Sequence, residues 1–173
     1  MSTSEALLFV TPHKYAIGIF SDNKIHSLMI NSATCDWLTE LRGQFPDVEL
    51  LPPASEKAIA DAEKTGGQLP GELVELLTCS NGLVVRSFRL FSAFDSQHIK
   101  KTWESLQRFN VGPAAVFKDP SFANRFLVFG DIGNGFAMID RNDGTIWFME
   151  NEDDEIRQTD FSFREFIETM ASS

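Results

Sequence analysis

The stretch GGQLPGELVELLTCSNG, residues 66–82, marks one helix with a defined beginning and end. Gly66 and Gly67 can take the left-handed backbone that ends a preceding helix, and Pro70 suits a first helical turn, where its missing N–H is not needed. Leucines then recur at helical spacing on one face, and the closing Asn-Gly pair has positive φ accessible at both residues. This pattern predicts a short amphipathic helix.

Further helices are predicted on both sides of that stretch. Ser55 can cap a helix that runs to about Thr65, and Ser32 or Thr34 can cap an earlier one that ends near Gly43. Asp95 or Ser96 can begin another, in which apolar residues recur at intervals of three and four. The last predicted helix is capped by Ser162, and its inward side chains are Phe163, Phe166, Ile167 and Met170.

The second half of the chain predicts an antiparallel sheet. RFLVFG, GFAMID and TIWFME are strand-like segments joined by turns at residues 131–134 and 141–144, and EIRQT is a fourth strand before the last helix. Asn142-Asp143-Gly144 has the turn chemistry of a tight antiparallel connection. These turns are too short for a parallel crossover, so the expected class is α+β, with helices packed on an antiparallel sheet.

The order of these motifs resembles the SUKH superfamily, the Smi/Knr-type domains. That family has Leu-Pro before a helix ending at Asn-Gly, Gly-Asp near a β-turn, and a final helix with spaced apolar residues. The matching residues here are Leu69-Pro70, Asn81-Gly82, Phe129-Gly130-Asp131, Gly135 with Asp140, and Ser162-Phe163 with Phe166-Ile167.

The resemblance covers residues 54–170 and implies a protein-binding function. Bacterial SUKH members resemble immunity proteins, which neutralise toxins, often nucleases, by direct contact; eukaryotic members resemble scaffolds of regulatory assemblies. At 173 residues the chain suits a single domain. Residues 1–52, with a predicted hairpin at 15–30 and one helix, match nothing in the family, and their role is open.

Charge disfavours nucleic acid as a direct partner. The formal net charge is −10, and such a surface repels phosphate backbones. Residues 143–168 contain nine acidic and two basic residues, which concentrates the negative charge near the carboxyl end. The run ENEDDE within them is either a solvated loop or a field that steers a basic partner.

Composition predicts a protein of the cytoplasm. No run approaches the roughly 18 apolar residues of a membrane span, and no secretory signal pattern is present. Cys35 and Cys79 both fall among apolar residues of predicted helices, so we expect two buried thiols and no disulfide.

No pattern indicates catalysis, a cofactor or a metal. The spacing G-x-x-G-x-G at residues 130–135 joins two strands instead of opening a helix that could hold phosphate. Counted from Asp140, the glycine and glutamate of a calcium loop are missing from their positions. His13, His26 and His98 have no partner at a metal-ligand interval. An enzyme would need a convergence such as Asp131 with Asp140, two carboxylates with separated pKa values.

We therefore predict a contact surface instead of an active site. Its expected centre is the exposed sheet region around Asp131, Asn134 and Trp147, where a rigid backbone loses little entropy on binding. The acidic run forms its rim, and the expected partner is a basic toxin domain. The rim residues are Glu150, Glu152, Asp153, Asp154 and Glu155. The sequence leaves the oligomeric state and the choice between immunity protein and regulatory scaffold open.

Overall fold

The computed structural model describes residues 32–93, 106–111, 115–150 and 155–173. The chain divides after Ile30 into two units, and all described residues lie in the second. The predicted hairpin at 15–30 and the predicted helix start at Asp95 or Ser96 fall outside the described residues, as do Glu152, Asp153 and Asp154. A single domain over residues 1–173 stays a prediction.

The described part of the chain contains six helices and seven strands. The helices are α1 (Ser32–Gln44), α2 (Glu56–Gly66), α3 (Gly71–Cys79), α4 (Leu106–Asn110), α5 (Pro120–Arg125) and α6 (Phe163–Ser172). The strands are β1 (Glu49–Leu50), β2 (Leu83–Val85), β3 (Phe88–Leu90), β4 (Phe126–Asp131), β5 (Gly135–Asp140), β6 (Ile146–Glu150) and β7 (Ile156–Gln158). Among these described elements, no helix has the length and apolar character needed to cross a bilayer.

The seven strands form one sheet in chain order, and every neighbouring pair is antiparallel. The predicted α+β class is confirmed, and the turns at 131–134 and 141–144 connect β4, β5 and β6 as expected. Neither β1, which pairs with β2, nor α5, which begins at Pro120 behind an Asp119 cap, was predicted. Both are short, so they leave little periodic signal.

The α3 helix begins and ends close to the predicted positions. Pro70 occupies the cap just before the first turn, and the helix ends at Cys79. Of the Asn-Gly pair that follows, only Gly82 has a positive φ, +110°. A Cβ there would lie 2.9 Å from the Leu90 carbonyl oxygen, so the chain needs glycine at this position for space as well as for conformation.

Helix α6 packs on one face of the sheet, which we call the helical face, and α1 contacts both α6 and α3. Phe166 of α6 packs edge-on against Phe88 and Phe129, with ring centroids 5.6 and 5.8 Å apart. The inward residues of α3 and α1 join the same core: Leu73, Leu76, Leu77, Trp37, Leu38 and Leu41. At Gly130 a Cβ would lie 2.6 Å from the Phe88 ring, so glycine at this position makes room for that core side chain.

Aromatic side chains also cover the opposite face. Phe109 of α4 stacks on Phe91 at 4.5 Å and lies 5.6 Å from Phe136. Phe117 lies 6.0 Å from Phe126. Because both faces are covered, β4 is buried over most of its length and has a continuous apolar sequence instead of an alternating one.

Cys35 and Cys79 form a disulfide that joins α1 to α3, with their Cα atoms 5.2 Å apart. The prediction of two buried thiols is wrong: both residues are half-buried, and they are bonded to each other. The error has a physical cause. The two cysteines are 44 positions apart in sequence, and they meet only because α1 packs beside α3.

Candidate functional site

Four of the predicted contact residues lie at one end of the sheet, which we call the acidic end: Asp131, Asn134, Glu150 and Glu155. Asp131 ends β4, and Asn134 is exposed in the turn to β5. Glu150 ends β6 opposite Gly135, and Glu155 immediately precedes β7. The turn and the two strand ends therefore bring these residues together through the register of the sheet.

Arginines neutralise part of the charge at the acidic end. Arg157 forms an ion pair with Glu155, and its guanidinium nitrogen lies 4.0 Å from Glu150 Oε2. Arg89 lies opposite Asp131 in the β3–β4 register. All these groups are at least partly exposed, so solvent screens the pairs and they contribute little stability. The sequence adds three acids between Glu150 and Glu155, which leaves this region negative.

Trp147 lies nearer the opposite end of β6. Its ring packs edge-on against Phe126 at 5.5 Å, and the Arg125 guanidinium carbon is 5.2 Å from its centroid. Its Nε1–H donates to Thr145 Oγ1 at 2.8 Å, so the polar edge of the ring is already satisfied. Trp147 is half-buried and is separated along β6 from the four residues of the acidic end.

The opposite end of the sheet, which we call the clamped end, is held by Arg125, Asp140 and Arg141. Asp140 is 1% exposed, and its carboxylate accepts hydrogen bonds from Arg125 Nε at 2.6 Å and from the Asn142 backbone N–H at 2.9 Å. The Arg125 guanidinium also lies over the Phe126 ring, 4.8 Å from its centroid. Both oxygens of the buried carboxylate therefore have hydrogen-bond donors within the same chain.

Arg141 joins the β5–β6 turn to the loop between α2 and α3. Its guanidinium donates to the Gly66 carbonyl oxygen at 2.6 Å and to the Gln68 carbonyl oxygen at 2.9 Å. Burial lowers the pKa of Arg141 from its usual value, but the guanidinium stays charged at any physiological pH. A cation is favourable at this place because carbonyl groups at the end of α2 carry partial negative charge.

A cleft of about 540 Å³ lies between these two segments and the end of α5. Leu69-Pro70 and Asp140, which belong to the motifs that resemble SUKH proteins, line it together with Arg141 and Asn124. The strongest polar groups of the cleft are already bonded to each other or to the backbone. Its geometry accordingly favours a structural joint between loop and sheet.

The structure does not bring Asp131 and Asp140 together. Asp131 pairs with Phe136, four residues before Asp140 on β5, so the two carboxylates are separated by roughly 13 Å along the strand. Two carboxylates that far apart do not share one site. Within the described residues, no three His, Cys, Asp or Glu side chains are arranged to hold a metal ion.

The sequence pattern did not identify three arginines that form polar contacts at the two ends of the sheet. Arg125 and Arg141 form contacts across 15 and more than 70 residues, and no local pattern indicates them. Arg157 offered a weak signal, because it follows Glu155 by two positions and therefore shares its side of an extended strand.

The chain matches a known protein family over most of its described residues. Residues 53–169 match the sequence model of the SMI1/KNR4 family (SUKH-1), which is more than half of the chain. The match begins just before α2 and ends within α6, and it leaves α1 and β1 outside. The resemblance drawn from motifs over residues 54–170 is confirmed. No curated protein matches the chain.

Proposed function

Because this chain belongs to the SMI1/KNR4 family (SUKH-1), we propose that it is a non-catalytic protein-binding domain, an immunity protein that neutralises a cognate toxin by direct contact. The proposed partner is a basic toxin domain, such as a nuclease. A nuclease exposes cationic surface to bind phosphate, and an acidic protein can cover that surface without any catalytic group.

One observation carries the proposal: Asp131, Asn134, Glu150 and Glu155 converge at one end of a seven-stranded sheet. Three of the four are acidic, and all sit on strand ends or a short turn. Ladder hydrogen bonds already fix that backbone, so binding there costs little further ordering. The acidic side chains supply the long-range attraction that speeds encounter with a basic partner.

The first experiment is co-expression of this chain with a basic toxin domain encoded beside its gene. We expect restored growth and a stoichiometric complex after purification. Growth arrest despite equal expression, with no complex formed, would contradict the proposal. Turnover of any substrate by the isolated chain, lost in Asp131→Asn or Asp140→Asn with the fold intact, would favour an enzyme instead.

The second experiment measures association rates of charge-neutralised variants. Replacing the five acids at 150 and 152–155 with amides should slow association by roughly tenfold at low salt and flatten its salt dependence. A matched control neutralises five exposed acids elsewhere: Asp36, Glu40, Asp47, Glu49 and Glu56. If the control slows association and the acidic-end variant does not, the interface lies near residues 36–56.

The cytoplasmic location suggested by the sequence is also a proposal. The Cys35–Cys79 disulfide opposes it, because disulfides persist mainly in oxidising compartments. Cells that express the native chain can be fractionated, with free thiols alkylated at lysis. This experiment distinguishes a cytoplasmic location from an oxidising compartment. A reduced protein in the cytosolic fraction supports the cytoplasm, and an oxidised protein outside that fraction contradicts it.

A further inference from the structure

The sequence contains two Asn-Gly pairs, Asn81-Gly82 and Asn134-Gly135. An asparagine followed by glycine is chemically vulnerable, because a glycine nitrogen has no neighbouring Cβ to shield it from the asparagine side-chain amide. Whether the reaction occurs in a folded protein depends on how firmly the amide and that nitrogen are held. The two pairs differ in this respect.

Both reacting groups of the first pair are held. Asn81 is 5% exposed, and its Oδ1 accepts a hydrogen bond from the Ala93 backbone N–H at 2.8 Å. The Gly82 N–H donates to the Ser80 carbonyl oxygen at 2.7 Å. The side chain of Asn81 cannot turn toward Gly82 without breaking a buried hydrogen bond, which is costly.

The second pair lies in the exposed turn between β4 and β5. Within the described part of the chain, no hydrogen bond holds the Asn134 side chain, and Gly133 before it has a φ of +89°. The glycine that follows is obligatory, because a Cβ at Gly135 would collide with the Met149 carbonyl oxygen. Packing of the sheet thus requires the one residue type that leaves its nitrogen unshielded.

We propose that Asn134 is a site of spontaneous deamidation, which converts this turn of the acidic end to aspartate or isoaspartate. The Gly135 nitrogen loses its proton and forms a bond to Asn134 Cγ, the bond from Cγ to the side-chain nitrogen breaks, and ammonia leaves with that proton. Water then adds to either carbonyl of the cyclic imide and breaks one of its two C–N bonds. The balance consumes one water and releases one ammonia, with no oxidation.

Either product changes the acidic end. Both add a carboxylate beside Asp131 and Glu150, and isoaspartate also inserts a methylene into the backbone of the turn. There the Ile132 N–H donates to the Gly135 carbonyl oxygen at 3.0 Å, and a longer backbone disturbs that bond. The effect on a basic partner rests on the proposed function, whereas the chemistry at Asn134 does not.

A third turn supplies a negative control inside the same chain. Asp143-Gly144 could form the same imide, but Asp143 Oδ1 accepts hydrogen bonds from the Thr145 hydroxyl and backbone N–H. These bonds lower the pKa of Asp143 and keep its carboxylate ionised, and an ionised carboxylate is a poor electrophile. Asp143 should therefore persist where Asn134 reacts.

The test incubates the full chain in water enriched in oxygen-18, at mildly alkaline pH and physiological temperature. Peptide mapping by mass spectrometry then locates the label, and isoaspartyl methyltransferase with radiolabelled methyl donor detects isoaspartate. We expect loss of the Asn134 amide with uptake of one heavy oxygen, and none at Asn81. In denaturant, both pairs should react at similar rates.

Two results would overturn the proposal. One is an Asn134 amide that stays intact in the folded chain over a time in which the same amide is lost in denaturant. The other is faster loss at Asn81 than at Asn134 in the folded chain. The Asn134→Gln variant, which forms the cyclic imide far less readily, should remove the label from this peptide. No partner is needed, so failure here leaves the proposed binding function untouched.

Discussion

Both ends of the sheet contain acidic residues and arginines, but the burial and the hydrogen bonds of these residues differ. At the clamped end, Asp140 ends β5, is buried, and accepts hydrogen bonds from Arg125 and Asn142. At the acidic end, Asp131 ends β4, is half-buried, and accepts only a local hydrogen bond from the Gly133 N–H at 2.6 Å, among the bonds of described residues. A strand-terminal aspartate before a turn is thus structural when it is buried against an arginine, and it remains accessible when it is half-buried with only a local hydrogen bond.

The largest expected loss of stability comes from removing the disulfide that joins α1 to α3. Replacing Cys35 and Cys79 together with serine should lower the free energy of unfolding by about 3 kcal/mol, because the disulfide restricts the unfolded chain across 44 positions. Urea denaturation of the oxidised wild type, the reduced wild type and the double variant measures this loss. The double variant is the control, since a reductant should leave it unchanged. Two free thiols titrated in the native oxidised protein would contradict the disulfide.

The comparison of the two ends is tested directly by paired substitutions. Asp140→Asn should cost about 2 kcal/mol, because it weakens a charged hydrogen bond in a buried place. The loss stays below that of a fully buried ion pair, since the Arg125 side chain is 48% exposed and water can solvate its charge. Asp131→Asn, the matched control, should change the free energy of unfolding by less than about 0.5 kcal/mol. Equal losses in urea denaturation would remove the distinction between the ends.

The smallest expected effect is a pH dependence at the clamped end. Hydrogen bonds from the Thr145 hydroxyl and backbone N–H lower the pKa of Asp143. A lowered folded-state pKa gives stability that is present above the unfolded pKa and is lost as pH falls through the folded pKa. Asp143→Ala should therefore flatten the acid side of the stability curve, and Thr145→Ser, which retains both donors, should not. Identical thermal melting profiles of wild type and Asp143→Ala across acidic pH would contradict this.

Local signals in the sequence determined most of the fold. Ser55 and Ser162 cap α2 and α6 as predicted, and the Ser162 cap is completed by Glu165 in a capping box. The turns between β4, β5 and β6 lie where the turn residues predict them. These features depend on residues a few positions apart, so composition and periodicity are enough to reveal them. The order of the same motifs also predicted the family.

Four of the residues that the sequence analysis grouped lie together at the acidic end. Asp131 and Asn134 share one turn, and Glu150 and Glu155 flank one connection, so a simple antiparallel meander puts all four at the same end of the sheet. Trp147 did not follow them, because its ring contributes to packing around Phe126 and Arg125. The sequence pattern of an aromatic residue near a turn is the same whether its ring packs against neighbouring side chains or lies exposed at a contact surface.

Only the tertiary structure decided which distant residues meet. The pairing of Cys35 with Cys79, the burial of Asp140 against Arg125, and the contact of Arg141 with the α2–α3 loop each join segments that the linear pattern leaves unrelated. The same geometry separated Asp131 from Asp140. Periodicity and caps report the conformation of neighbouring residues, whereas these contacts depend on how whole helices and strands pack to bury apolar surface, a property of all the elements together.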